Sequence, residues 1–204
     1  MKTKWTKTIY VVLGLLVLVL TSCEPETPSE NSTFSESEIH SLLFMLEEEK
    51  LARDTYSFLD YLWPNNPFSN IKQSEQTHMN AIISLLELNH IDYEILPNGQ
   101  FSDTVLQHYY DQFVVDGAAS LSNALVIGAT IEDLDIVDLE EYISEISNQS
   151  IIDVYENLSC GSRNHLRSFY SRLASQGEYY APQFLNQTYF NEIVNGNHEN
   201  CGLY

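Results

Sequence analysis

The sequence predicts an all-α protein, a four-helix bundle with a long crossover between its second and third helices and a short extra helix. Apolar residues recur at three- and four-residue spacing along four long segments. Polar breaks separate those segments, short at two places and long at the third. No run of β-branched alternation competes beyond the first 22 residues.

Those first residues carry Lys2, Lys4 and Lys7, then an apolar run from Ile9 to Leu20, then Thr21-Ser22 ahead of Cys23. This is the order of a secretory signal peptide. The run holds 12 residues, against about 20 for a membrane-spanning helix, so it is too short to persist as an anchor. Leu20-Thr21-Ser22-Cys23 resembles the lipobox of bacterial lipoproteins. That resemblance implies removal of residues 1–22, a diacylglycerol on Cys23 and attachment to a membrane through the acyl chains. Glu24 does not resemble an inner-membrane retention signal, so the expected location is the cell envelope, at the outer membrane. Residues 23–37 contain Pro25, Pro28, four Glu and several Ser and Thr, with Phe34 their only large apolar side chain. They read as a flexible acidic tether.

Residues 38–204 have the length of a single domain. From Glu38 to about Tyr61 there is no Gly or Pro, and Ser35 or Ser37 can cap the start of a first long helix. Trp63-Pro64-Asn65-Asn66-Pro67 breaks it, and a second runs from Asn70 to Asn89 with Ile71, Ile82, Leu85 and Leu86 on its apolar face. Pro97-Asn98-Gly99 marks a turn, and a short helix fills Thr104 to Asp116. The third long helix covers Ala118 to Ser147 and the fourth Ile151 to Gln176, with only Asn148-Gln149-Ser150 between them. The short links force two antiparallel hairpins, whereas residues 90–117 can cross the bundle lengthwise, the connection that sets ferritin-like bundles apart from up-and-down ones. The tail after Gly177, with its tyrosines and Pro182, reads as irregular structure packed over the bundle.

Nine Lys and Arg face 29 Asp and Glu, a net charge of −20; without the three signal-peptide lysines it is nearer −23. Such a chain is a poor partner for nucleic acid. An acidic surface alone identifies no site. Two cysteines, Cys160 and Cys201, remain once Cys23 is lipidated, and an exported chain can hold them paired or as free thiols. No Cys-x-x-Cys occurs, so neither a zinc knuckle nor a thioredoxin-like centre is indicated.

Side chains three and four apart share a helix face. The core-facing line of the first helix, Ile39, Leu42, Leu46, Glu49 and Tyr56, carries Glu49. The second line, Ile71, Glu75, His78, Ile82 and Leu85, carries a carboxylate and an imidazole. The third contributes Glu132 and Asp135 between Leu125, Gly128 and Leu139; the fourth contributes His165 among Tyr155, Leu158, Ser162 and Phe169. Ionised carboxylates inside a bundle need a partner or a metal. Glu75-Gln76-Thr77-His78 has the Glu-x-x-His spacing that di-iron carboxylate bundles use, and the mixed donor set suits iron or manganese. Tyr56 reads as a core residue, and His40, His90, His108 and His198 as exposed. Arg53, Arg163 and Arg167 read as partners of the acidic surface.

Glu47-Glu48-Glu49-Lys50-Leu51-Ala52-Arg53-Asp54, Ser74-Glu75-Gln76-Thr77-His78-Met79, Gly128-Ala129-Thr130-Ile131-Glu132-Asp133-Leu134-Asp135 and Gly161-Ser162-Arg163-Asn164-His165-Leu166-Arg167 resemble the DUF2202 family of the ferritin-like, rubrerythrin-related superfamily. The resemblance covers roughly residues 36–195. Glu49, Ala52 and Tyr56 are similar to the superfamily's first-helix pattern Glu-x-x-Ala-x-x-x-Tyr, which selects Glu49 over Glu47 and Glu48. The resemblance implies Glu49, Glu75, His78, Glu132 and His165 as ligands of two iron or manganese ions, with Asp135 as a sixth candidate. The superfamily's fourth helix reads Glu-x-x-His, and here Ser162 stands where the glutamate is expected. Asp135, one turn beyond Glu132, could supply the missing oxygen; otherwise the centre is asymmetric, holds one ion or is empty. No rubredoxin-like cysteine module is present for an electron relay within the chain. Two readings follow: a di-metal redox or iron-handling protein at the cell envelope, or a lipid-anchored binding or structural module with an empty or single-ion centre.

Overall fold

A computed structural model of the protein describes residues 34–64 and 67–202. The expected signal peptide, the expected lipidation site Cys23 and the expected tether up to residue 33 lie outside the described residues. The described residues form six helices and no strand: α1 (Glu36–Leu62), α2 (Phe68–Leu88), α3 (Thr104–Gly117), α4 (Leu121–Glu145), α5 (Gln149–Ala174) and α6 (Gln187–Asn195).

Local chemistry sets most of the boundaries. Ser35 and Glu38 form a reciprocal capping box that starts α1 two residues before the expected position, and Phe34 is buried beneath it. Asp103, Ser120, Asn148 and Asn186 each accept a backbone N–H at the start of α3, α4, α5 and α6. Helix α2 has no side-chain cap; its first residue, Phe68, is fully buried against Tyr56 and Phe169. Helix α6 corrects the expectation of an irregular tail. Nine residues are too few for the periodicity to stand out, but Asn186 caps them, and Phe190 and Ile193, three apart, are buried.

Helix α1 packs along α2 and α4 along α5; α1 also meets α4, and α2 meets α5. Two apolar clusters fill the interior. One gathers Leu51, Tyr56, Phe68, Ile131, Leu166 and Phe169; the other gathers Leu42, Met45, Ile82, Leu139, Tyr155 and Leu158. On α1, α2 and α5 the polar residues at 49, 75, 78, 162 and 165 fall where one cluster gives way to the other.

Three polar clasps hold the connections. Asp54 accepts from Lys50 Nζ at 2.7 Å, Arg53 Nη2 at 2.6 Å and Gly99 N at 2.9 Å. Lys50 also donates to Gln100 O at 2.9 Å, so the crossover is fixed to α1 where Gly99 adopts a φ of +76° that favours glycine. Asp133, fully buried, accepts from Tyr180 Oη and from the backbone N–H groups of Gln183, Phe184 and Leu185. Cys160 and Cys201 form a disulfide, which closes the alternative of two free thiols. Beside it, Arg163 and Arg167 both bind the Glu199 carboxylate at 2.5 Å.

Candidate metal centre

Five of the six expected ligands converge. Glu49 comes from α1, Glu75 and His78 from α2, Glu132 from α4 and His165 from α5, and all five are buried. Their donor atoms make two triads, Glu49–Glu75–His78 and Glu75–Glu132–His165, with the atoms of each triad within 4.8 Å of one another. Glu75 belongs to both. Its Oε2 lies 2.8 Å from His78 Nδ1 and its Oε1 lies 2.9 Å from His165 Nδ1. His78 Nδ1 is also 3.1 Å from Glu49 Oε2, and His165 Nδ1 is 3.4 Å from Glu132 Oε2. The two imidazoles stack with ring centres 5.6 Å apart.

Closeness does not satisfy these groups. His165 Nδ1 and Glu75 Oε1 are out of hydrogen-bond alignment and have no hydrogen-bond partner, and neither does Glu49 Oε1. Unpaired buried donors of this kind are costly. Beside the one hydrogen bond within the set, His78 Nδ1 to Glu49 Oε2, these three unpartnered atoms fit a cation held between them.

Surrounding residues set the orientation. Ser74 Oγ lies 3.1 Å from His165 Nε2, which leaves Nδ1 facing the carboxylates. Tyr56 donates its hydroxyl to Glu132 Oε1 at 2.5 Å, so this core residue also steadies a ligand. Gly161 makes room for His78: a Cβ there would stand 2.7 Å from His78 Nε2.

Asp135 is buried but stands outside both triads. Its Oδ2 is 2.5 Å from Ser162 Oγ, and its Oδ1 has no hydrogen-bond partner. Sequence reasoning passed over Glu48, which is also buried, with neither oxygen hydrogen-bonded. A second buried line, Ser41, Met45, Glu48, Ala52 and Thr55, was the available signal. It shows that α1 buries a wider face than one stripe, because both α2 and α4 pack against it. His40, His90, His108 and His198 are exposed.

Electrostatics follow from burial. Burial raises the Glu49 carboxyl to about 7, with the His78 imidazole opposing the rise. Burial likewise raises Glu132 to about 6, against the pull of His165. Asp135 and Glu48 are pushed well above the usual carboxylate range, first by burial and then by neighbouring carboxylates. Burial also opposes ionisation of Glu75, but His165 and His78 outweigh it and hold its carboxyl below the usual range. Burial alone would depress His165; Glu75 and Glu132 instead raise it to about 10.

The sign for stability is set by the raised carboxyls. Protonated Glu49 and Glu132 favour the folded state fully below pH 4.5, and that contribution is lost as pH rises through 6 to 7. Glu75 has the opposite sign and matters only in acid. The metal-free protein is therefore expected to lose on the order of 10 °C of Tm between pH 5 and pH 8, given about 1.4 kcal/mol per pKa unit and about 2–4 °C per kcal/mol. Thermal unfolding followed by circular dichroism checks this; a Tm that climbs over the same interval contradicts it.

Together these features define a helical protein whose interior presents two overlapping carboxylate–imidazole triads able to hold metal ions. The chain belongs to the DUF2202 family, described as an uncharacterized protein domain, whose model matches residues 38–197. It is 44% identical over 167 residues to the uncharacterized protein MJ0754 of Methanocaldococcus jannaschii, covering 81% of this chain and 90% of that protein. The crystal structure of hypothetical protein MJ0754 superposes with a TM-score of 0.79, covering 81% of this chain and 96% of that one.

Proposed function

We propose that this is an exported, lipid-anchored ferritin-like protein whose four-helix bundle holds two iron or manganese ions for a redox or iron-handling role. The observation that carries the reading is the sharing of Glu75 by two triads in which Glu49 Oε1, Glu75 Oε1 and His165 Nδ1 are buried without a hydrogen-bond partner. Four long helices joined by two short links and one long crossover support the ferritin-like assignment. Bound ions would supply Lewis acidity and redox equivalents. Glu75 would bridge them, Glu49 and His78 would complete one set and Glu132 and His165 the other. Ser74 and Tyr56 hold His165 and Glu132 in place, and the apolar clusters on either side exclude water. The N-terminal motif supports attachment through lipid on Cys23, at the outer membrane of the cell envelope.

Ser162, standing where the superfamily has a glutamate, favours a second reading: a lipid-anchored module with an empty or single-ion centre. Metal analysis of the domain expressed without residues 1–23, beside a His78→Ala variant, separates the two. About two ions per chain in the parent, reduced in the variant, support the di-metal reading. Less than one ion per several chains in both defeats it. In the full-length protein, Cys23→Ser is expected to move the chain from the membrane to the soluble fraction; unchanged membrane association defeats the lipid anchor.

A further inference from the structure

We infer that the Cys160–Cys201 disulfide is a site of thiol–disulfide exchange, at which an uncharged dithiol reductant attacks Cys160 and expels Cys201. A cavity of about 450 Å³ opens over both cysteines, with Glu140, Glu156, Asn157 and Gly202 also in its wall. Cys160 belongs to α5 and keeps its helical backbone whichever bond its sulfur makes, whereas Cys201 follows α6 on irregular chain that can withdraw. Asn164, one turn beyond Cys160, directs its Nδ2 at Cys201 Sγ, 3.3 Å away. A donor there stabilises negative charge on Cys201 and makes it the better leaving thiolate. Breaking the bond does not free the tail. Arg163 and Arg167 bind the Glu199 carboxylate, Asn164 bonds Glu199 N and O, and Gly202 N donates to Asn157 Oδ1 at 2.7 Å. These contacts flank Cys201 on both sides, so the two sulfurs stay close enough after reduction to pair again.

The chemistry balances without the metal centre. The reductant's thiolate bonds to Cys160 Sγ as the S–S bond breaks, and the electron pair leaves on Cys201, which takes up a proton. The reductant's second thiol then closes a disulfide with the first and expels Cys160. Two electrons and two protons pass in all from the dithiol to Cys160 and Cys201. The cavity wall carries Glu140 and Glu156, while its guanidinium, that of Arg163, is committed to Glu199. This disfavours an anionic thiol such as glutathione.

The test follows the reaction of the full-length protein, purified in detergent, with dithiothreitol, by alkylating new thiols and weighing the product over time. Cys160 and Cys201 are expected to become alkylated at a rate proportional to dithiothreitol and unchanged by urea up to the onset of unfolding. Glutathione at equal thiolate concentration is expected to react roughly tenfold more slowly or worse, and to be trapped on Cys160. Asn164→Asp keeps the acceptor oxygen but replaces the donor by a negative charge, and is expected to slow reduction by roughly tenfold. Reduction that begins only with global unfolding marks a merely structural disulfide and overturns the inference. So does glutathione trapped on Cys201 or reacting as fast as dithiothreitol, and so does an Asn164→Asp variant reduced as fast as the parent or faster.

Discussion

Glu75→Ala is expected, on the di-metal reading, to abolish binding of both ions at once and to destabilise the metal-free protein as well. No other residue belongs to both triads, so no other single truncation removes a donor from each. Without an ion, Glu75 is the carboxylate that His78 and His165 hold ionised from either side, at 2.8 and 2.9 Å. Its loss leaves two buried imidazoles facing fewer counter-charges. Removing one partner of a buried ionic group costs about 3–5 kcal/mol, which corresponds to roughly 10 °C in Tm for a domain of this size. Metal analysis and denaturant unfolding check the two halves separately. A variant that keeps two ions would show that Glu75 does not bridge them.

Asp133→Ala is expected to cost a comparable amount without disturbing the metal centre. Asp133 is adjacent in sequence to Glu132, but its carboxylate turns to the tail and accepts four hydrogen bonds there. Alanine leaves three backbone N–H groups and the Tyr180 hydroxyl without their acceptor, and unpaired buried donors cost about 1–3 kcal/mol each. Solvent reaching the loosened loop satisfies part of them, which reduces the total to about 3 kcal/mol or slightly more. Limited proteolysis should then cut between residues 180 and 186. The Cys160–Cys201 disulfide spans that cut, so the fragments stay joined until reduced. An uncut tail, or a changed metal content, contradicts this account.

Most of the fold was legible because it rests on local rules. The three-to-four periodicity and the polar breaks define the long helices, and caps at Asp103, Ser120 and Asn148 fix their starts to within a few residues. Helix α6 was not, because its short apolar pair gains a core only once the tail is folded back by Asp133 and the disulfide. In the centre, Glu49, Glu75, His78, Glu132 and His165 were legible as polar residues interrupting apolar lines. Asp135 was assigned by position on α4, but spacing cannot show that a hydroxyl from α5 takes one of its oxygens. Glu48 escaped because a single stripe was assigned to a helix that buries two. The disulfide could not be chosen over free thiols, since nothing local to Cys160 or Cys201 records that two positions 41 apart in sequence are brought together.

The clasp at Lys50 has a consequence for electrical balance in the interior. Lys50 is the one fully buried lysine or arginine among the described residues, and it follows Glu49 directly, yet its ammonium is saturated by Asp54 and the crossover carbonyls. It contributes nothing to neutralising Glu48, Glu49, Glu132 and Asp135. Beyond the charge that His78 and His165 supply, this carboxylate cluster is neutralised by protons or by cations arriving from solvent. On the metal-holding reading, uptake of a cation would expel protons from these carboxyls, and acidification of the medium would release it again.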